Sequence, residues 1–281
     1  MIRPIASGAG TAIFVDEIGI EVGIVGEFRL RASYQPVFTR RGDLLNAVAV
    51  RGSTTPFHHG QVMPLSAFHD ATLPRHSFAL TALGAALNFR NLLNTGVPGL
   101  KLLLRVDLRC ASTAGRARAA GRMLAAEIAR DGLDPRDVVI ELSGLTEAGA
   151  EAAAAAFAAL RDHDIRVAAL ELGNGPASLL PEAPPADIVR IDGGWFRTVA
   201  RQPSTARLFA ALVRAYRSRS AEVLIDGIAT EATLRAALDS GADLFCGPLL
   251  APAALAGAAF PGEPLAIGSL LAERRVIRLF P

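Results

Sequence analysis

Lysine is almost absent from this chain: among 281 residues there are 29 basic ones, and only Lys101 is lysine. In a chain rich in alanine, arginine and glycine this reflects genomic codon bias, and the arginine count alone identifies no phosphate site. A strong charge of one sign is missing too. The formal net charge is +2, with no basic run, aromatic–basic interleaving or zinc-finger spacing, which sets nucleic-acid binding aside. Cysteine is reduced to Cys110 and Cys246, far apart and without metal-ligand or redox spacing, so both read as reduced thiols and no disulfide is expected. No apolar run reaches the roughly 18 residues of a membrane span. The start, MIRPIASGAGTAIF, lacks the charged segment and apolar core of a signal peptide. A cytoplasmic protein without a membrane span is therefore expected. No Ser-His-Asp order or nucleophile elbow is visible. Of the five histidines, His58 and His59 are adjacent and read as solvated loop residues.

What is present is apolar and periodic. Hydrophobic side chains make up 51 % of the chain, enough to bury a substantial core within one domain. Residues 28–38 (FRLRASYQPVF) and 43–51 (DLLNAVAVR) read as strands joined by a turn at ThrArgArgGly, which suits an antiparallel pair. Two or three helices fit between Met63 and Asn94. Apolar runs then alternate with helices: KLLLRV, a helix from about 114 to 130, VVI, a helix from about 146 to 162, and IRVAAL. The alternation continues with IVRI, a helix from about 196 to 217, EVLI, a helix from about 231 to 239, and DLF. Short apolar runs separated by helices imply parallel strands with crossovers, because a tight turn cannot reach a parallel partner. Two early strands and six later ones close economically into a (β/α)8 barrel, with a doubly wound open sheet as the alternative. The barrel is assigned to residues 27–262. Residues 1–26 form an N-terminal extension containing an added strand or hairpin, and residues 263–281 a C-terminal tail packed on the barrel.

Five core runs end in an acid: Asp107, Glu141, Glu171, Asp192 and Asp226. One such acid is ordinarily a helix N-cap or a solvated loop residue. Five in register would converge on the rim where barrel enzymes build their sites, and a carboxylate ring there suits Mg2+, Mn2+ or Ca2+. The stretch LELGNG at 170–175 can be read from its residues as a phosphate-cradling loop, a metal site or a strand with a tight turn.

The segments together resemble EAL domains, the barrel phosphodiesterases that linearise cyclic di-GMP. FRLRASYQPVF resembles their first strand with its tyrosine-glutamine-proline. RVDL, VVIELS, LELGNGPASL, IVRID, LIDGIATEATL and GADLFCGPLLAP resemble, in order, the segments that carry the family's site residues over about 27–252. The resemblance implies a barrel with an antiparallel first strand pair. It also implies metal ligands at Asp107, Glu141, Glu171 and Asp226, and nucleotide contacts at Gln35, Arg51, Ser178 and Asp192.

The same resemblance marks the chain as degenerate. Ala47 or Val48 stands at the name-giving glutamate, Asp107 replaces an asparagine, and Leu170 replaces the first aspartate of an acidic pair whose second member is Glu171. Arg190 replaces the lysine that orients the catalytic water, Asp226 and Ala229 replace glutamates, and Cys246 replaces a glutamine. An isobutyl group cannot ligate a cation, and a planar guanidinium does not deliver a compact point charge to a bound water. Two-metal hydrolysis should be lost, leaving Glu141, Glu171, Arg190 and Asp226 as relics and LELGNG as the remnant of a metal loop. The expected function is a catalytically inactive regulatory module acting through an unidentified regulatory protein, with or without cyclic di-GMP. A cyclic di-GMP receptor, or a residual phosphodiesterase using one Mg2+ or Ca2+ ion, is the alternative. No cofactor is expected otherwise, and a homodimer is compatible with the family. On these counts the five acids outnumber Arg51 and Arg190, so the rim should repel a ligand with two phosphates, and Arg190 should serve as counterion to Glu171 or Glu141.

Overall fold

The computed structural model describes residues 3–4, 11–72, 78–172, 186–258, 260 and 262–272. Two strands, β1 (Thr11–Val15) and β2 (Glu21–Val25), precede the long antiparallel pair β3 (Phe28–Arg41) and β4 (Leu44–His58). Six short strands follow: β5 (Lys101–Asp107), β6 (Val138–Ser143), β7 (Arg166–Leu172), β8 (Ile188–Ile191), β9 (Glu222–Ile225) and β10 (Leu244–Cys246). Strands β4 to β10 are mutually parallel, β3 runs antiparallel to both β10 and β4, and the sheet closes on itself as an eight-stranded barrel. This is the (β/α)8 arrangement with an antiparallel first pair. The β3–β4 turn lies at Gly42, whose φ of 63° is a left-handed conformation that glycine adopts without steric cost.

Crossover helices cover the outside: α1 (Leu65–Ala71), α2 (Phe78–Asn91), α3 (Ala114–Arg130), α4 (Ala150–Arg161), α5 (Gly193–Ala200), α6 (Pro203–Arg217) and α7 (Glu231–Asp239). Thr113 caps α3 through the Arg116 amide, and Thr230 and Thr233 form a capping box on α7. The single helix expected over 196–217 is two, because Pro203 offers no amide to a continuing helix and starts a new one. None of the described helices is long and apolar enough to cross a membrane.

The N-terminal segment adds a strand pair to the sheet. β1 pairs with β2, and β2 pairs with the first residues of β3, Val22↔Arg31 through Val25↔Phe28. The distal halves of β3 and β4 thus extend beyond the barrel as an antiparallel sheet, backed by α2 through Leu83 and Leu87. From the C-terminal tail, Leu265 and Ala266 pair with Leu45 and Leu44, and residues 273–281 lie outside the described ones, as do Ser178 and the turn after Leu172.

Inside the barrel, one cluster takes a residue from each of the eight strands: Val37, Ala49, Leu103, Val139, Ala168, Ile188, Leu224 and Leu244. Only the interior of a closed barrel can bring those eight together. This apolar band is the floor on which the site rests.

Candidate functional site

Side chains two residues apart share a face of a strand, so the residues two steps beyond the floor towards the C-terminal rim also face the interior. They are Arg51 after Ala49, Arg105 after Leu103, Glu141 after Val139, Arg190 after Ile188 and Asp226 after Leu224. Register makes them neighbours. Arg105 is the direct cross-strand partner of Glu141, and Arg51 of Gln35.

The five charged groups form one ion cluster. The Arg190 guanidinium is a fork between two acids: Nη1 donates to Glu141 Oε1 at 2.9 Å, Nε donates to Asp226 Oδ2 at 3.1 Å, and Nη2 also contacts Asp226 Oδ2. Arg105 Nε donates to Glu141 Oε1 at 2.8 Å, and Arg51 Nη1 to Asp226 Oδ2 at 2.7 Å. The other Asp226 oxygen accepts from the Gly227 amide at 2.8 Å. The backbone needs glycine here, because a Cβ on Gly193 would lie 2.2 Å from the Asp226 carbonyl oxygen. The centre is dry and the mouth is wet: the Arg190 and Glu141 side chains are 6 % and 2 % exposed, Arg105 44 %.

Burial raises the Glu141 carboxyl, but Arg190, Arg105 and Arg51 together outweigh it and hold it below the ordinary carboxylate value. Asp226 follows the same balance: burial pushes it up, while Arg51 and Arg190 carry it below its ordinary value. Both acids are therefore ionised at neutral pH. Burial, reinforced by Asp226, pushes the adjoining Cys246 thiol up to about 12, so it stays neutral. Three guanidinium groups face two carboxylates, which leaves the described cluster one charge positive.

The sequence model of the EAL domain matches residues 25–253. The chain belongs to the EAL domain family. Solved structures agree in fold. An EAL domain protein of Listeria monocytogenes superposes with a TM-score of 0.65 at 15 % identity, covering 86 % of this chain and 90 % of that one. BlrP1 of Klebsiella pneumoniae, in a manganese and cyclic di-GMP complex, gives 0.70 at 17 %, covering 84 % and 59 %. The EAL domain of Pseudomonas aeruginosa FimX, bound to cyclic di-GMP, gives 0.66 at 15 %, covering 83 % and 94 %. No match is found among curated proteins.

Of the EAL positions singled out in the sequence, Glu141, Arg190, Asp226 and Arg51 meet in the cluster. Gln35 adjoins it, its amide nitrogen donating to the Ala251 carbonyl at 3.1 Å. Asp107 caps the short turn Leu108–Ala111, accepting from the Arg109 amide at 2.9 Å and from the Arg109 guanidinium at 2.5–3.0 Å. Asp192 is the N-cap of α5, accepting from the Gly194 and Trp195 amides at 2.8 and 3.0 Å. For the acidic pair only the backbone placement is described. Leu170 lies beside Arg190 in register, and Glu171 falls at a bulge, since Ile191 already pairs with Leu172. At the name-giving position a second bulge leaves Val48 unpaired between Ala47, opposite Phe38, and Ala49, opposite Val37; Val48 packs towards the floor.

Arg105 is the residue the sequence reasoning missed. Its signal was available: in KLLLRVD it stands at the parity of Leu103 and Asp107, a charge on the inward face of a barrel strand. Its discovery corrects the expected electrostatics. Arg105 neutralises part of Glu141 and Arg109 pairs with Asp107, so the described residues do not present the surplus of negative charge that would repel a phosphate.

Proposed function

We propose that this EAL domain is catalytically silent, its metal cage exchanged for an arginine–carboxylate clamp, and that it regulates by contact with a protein partner. The observation that carries this reading is the Arg190 fork. A divalent ion needs carboxylate oxygens free to ligate it. Here Glu141 Oε1 and Asp226 Oδ2 each accept from two guanidinium groups, and the position beside Arg190 holds Leu170. The described donor set does not fit a hydrated divalent ion, which would meet three fixed positive charges, two of them within hydrogen-bond reach of each acid.

A specific observation favours a second reading, a receptor that binds cyclic di-GMP without cleaving it. Arg51 and Arg105, 23 % and 44 % exposed, stand at the mouth of a cluster whose described groups sum to +1, with Gln35 directly across from Arg51. The FimX EAL domain and BlrP1, similar in fold, are known in complexes with cyclic di-GMP. Both readings are tested by titrating the purified chain with cyclic di-GMP in a calorimeter, with no metal, with Mg2+ and with Ca2+, and analysing each mixture for linear product. The proposal expects no linear product in any arm. Saturable metal-independent heat would establish the receptor reading. Linear product that disappears in a Glu141→Gln variant would overturn catalytic silence.

A further inference from the structure

The distal halves of β3 and β4 extend beyond the barrel, and at their far tip three donor side chains converge. The donor atoms of Glu27, His58 and His59 all lie within 4.8 Å of one another. Neighbouring residues of an extended strand point to opposite faces, so His58 and His59 would ordinarily diverge. His59 instead adopts φ 49°, in the left-handed region that few non-glycine residues enter. This folds its ring onto the ring of His58, with centroids 4.1 Å apart. From the turn that precedes β3, Glu27 brings a carboxylate oxygen to 3.6 Å from His58 Nε2.

The platform beneath is firm. Phe28, the cross-strand partner of His58, lies with its ring 4.9 Å from the imidazole and meets buried Phe68 edge-on at 5.3 Å. The tip is separate from the arginine clamp: at about 3.3 Å per residue, the strand from Arg51 to His58 spans about 23 Å.

We propose that Glu27, His58 and His59 form a binding site for a divalent transition-metal ion, Zn2+ in particular, with water completing a four-coordinate shell. Two imidazoles and one carboxylate are a donor set for zinc, not for Mg2+ or Ca2+, which take oxygen shells. Ligands about 2.1 Å from a tetrahedral zinc sit about 3.4 Å apart, so donors within 4.8 Å of one another must close by about an ångström, which rotamer adjustments can supply. A bound ion would tie the turn before β3 to the turn after β4. The site is independent of the proposed function, and neither stands or falls with the other.

The test uses the full chain, stripped with chelator and titrated with Zn2+ against a chromophoric competitor, followed by Co2+ substitution. One equivalent should bind, with the intense visible absorption of four-coordinate cobalt. Glu27→Gln, and His59→Asn chosen because asparagine tolerates the left-handed turn, should each weaken binding at least about tenfold. His163→Asn, at an exposed turn remote in sequence, should leave it unchanged. Circular dichroism on every variant separates lost binding from lost folding. Absence of a saturable first equivalent, or unchanged affinity in the folded Glu27→Gln/His59→Asn double variant, would overturn the proposal.

Discussion

The two bands inside this barrel sit two residues apart on the same strands and are held by opposite physics. Leu103, Val139, Ile188 and Leu224 form a floor that excludes water and gains by doing so. Arg105, Glu141, Arg190 and Asp226, one step further, are charges that burial penalises and only mutual pairing retains. The floor therefore tolerates conservative exchange, while the clamp depends on Arg190, the buried cation that both acids share. The barrel can persist through changes at the charged band because the two bands contribute separately.

Breaking the clamp should give the largest effect. Arg190→Ala leaves Glu141 and Asp226 buried without the cation they share, and should cost about 3–5 kcal/mol in urea unfolding at neutral pH. Leu224→Ala, fully buried in the floor, should cost about 2–5 kcal/mol through transfer and cavity terms. The pair separates the two physics: the Leu224→Ala loss should hold constant with pH, whereas the Arg190→Ala loss should shrink as the carboxylates protonate.

A smaller effect should be visible in the parent chain. Glu141 and Asp226 have folded pKa values below their ordinary values of 4.5 and 3.8. The unfolded chain then binds more protons than the folded one between the two sets of values, so their stabilisation is complete above about 4.5 and is lost as pH falls through the folded values. Denaturation curves across pH 2–6 should show this acid limb, and Glu141→Gln should flatten it. The smallest stability change is expected for Arg105→Ala, within about 1 kcal/mol, because that side chain is 44 % exposed and solvent screens its ion pair. If the mouth binds an anionic nucleotide, the same variant should weaken that binding while barely moving the unfolding midpoint.

The contrast between bands also explains what the sequence made legible. Short apolar runs alternating with helices announced the parallel strands, and the matching ends of VVI and VLI correctly brought Glu141 and Asp226 to one rim. Periodicity could not tell those two acids, which share Arg190, from Asp107 and Asp192, which follow their strands equally well but cap a turn and a helix. That distinction depends on which way the chain bends after the strand. Arg105 was hidden for the reverse reason: attention rested on strand-end acids, while the balancing cation lay inside an apolar run. The bulges at Val48 and Glu171 break the two-residue parity on which any inward or outward assignment rests, so these two positions were the least readable. His58 and His59 read as ordinary loop residues because only the backbone at His59 turns their rings together.

The exchange of metal cage for arginine clamp is tested most directly by anomalous diffraction from crystals grown with Mn2+ and cyclic di-GMP. The expected result is the Arg190 guanidinium between Glu141 and Asp226, with no anomalous peak there. Two strong peaks ligated by those acids, with Arg190 swung away, would contradict it.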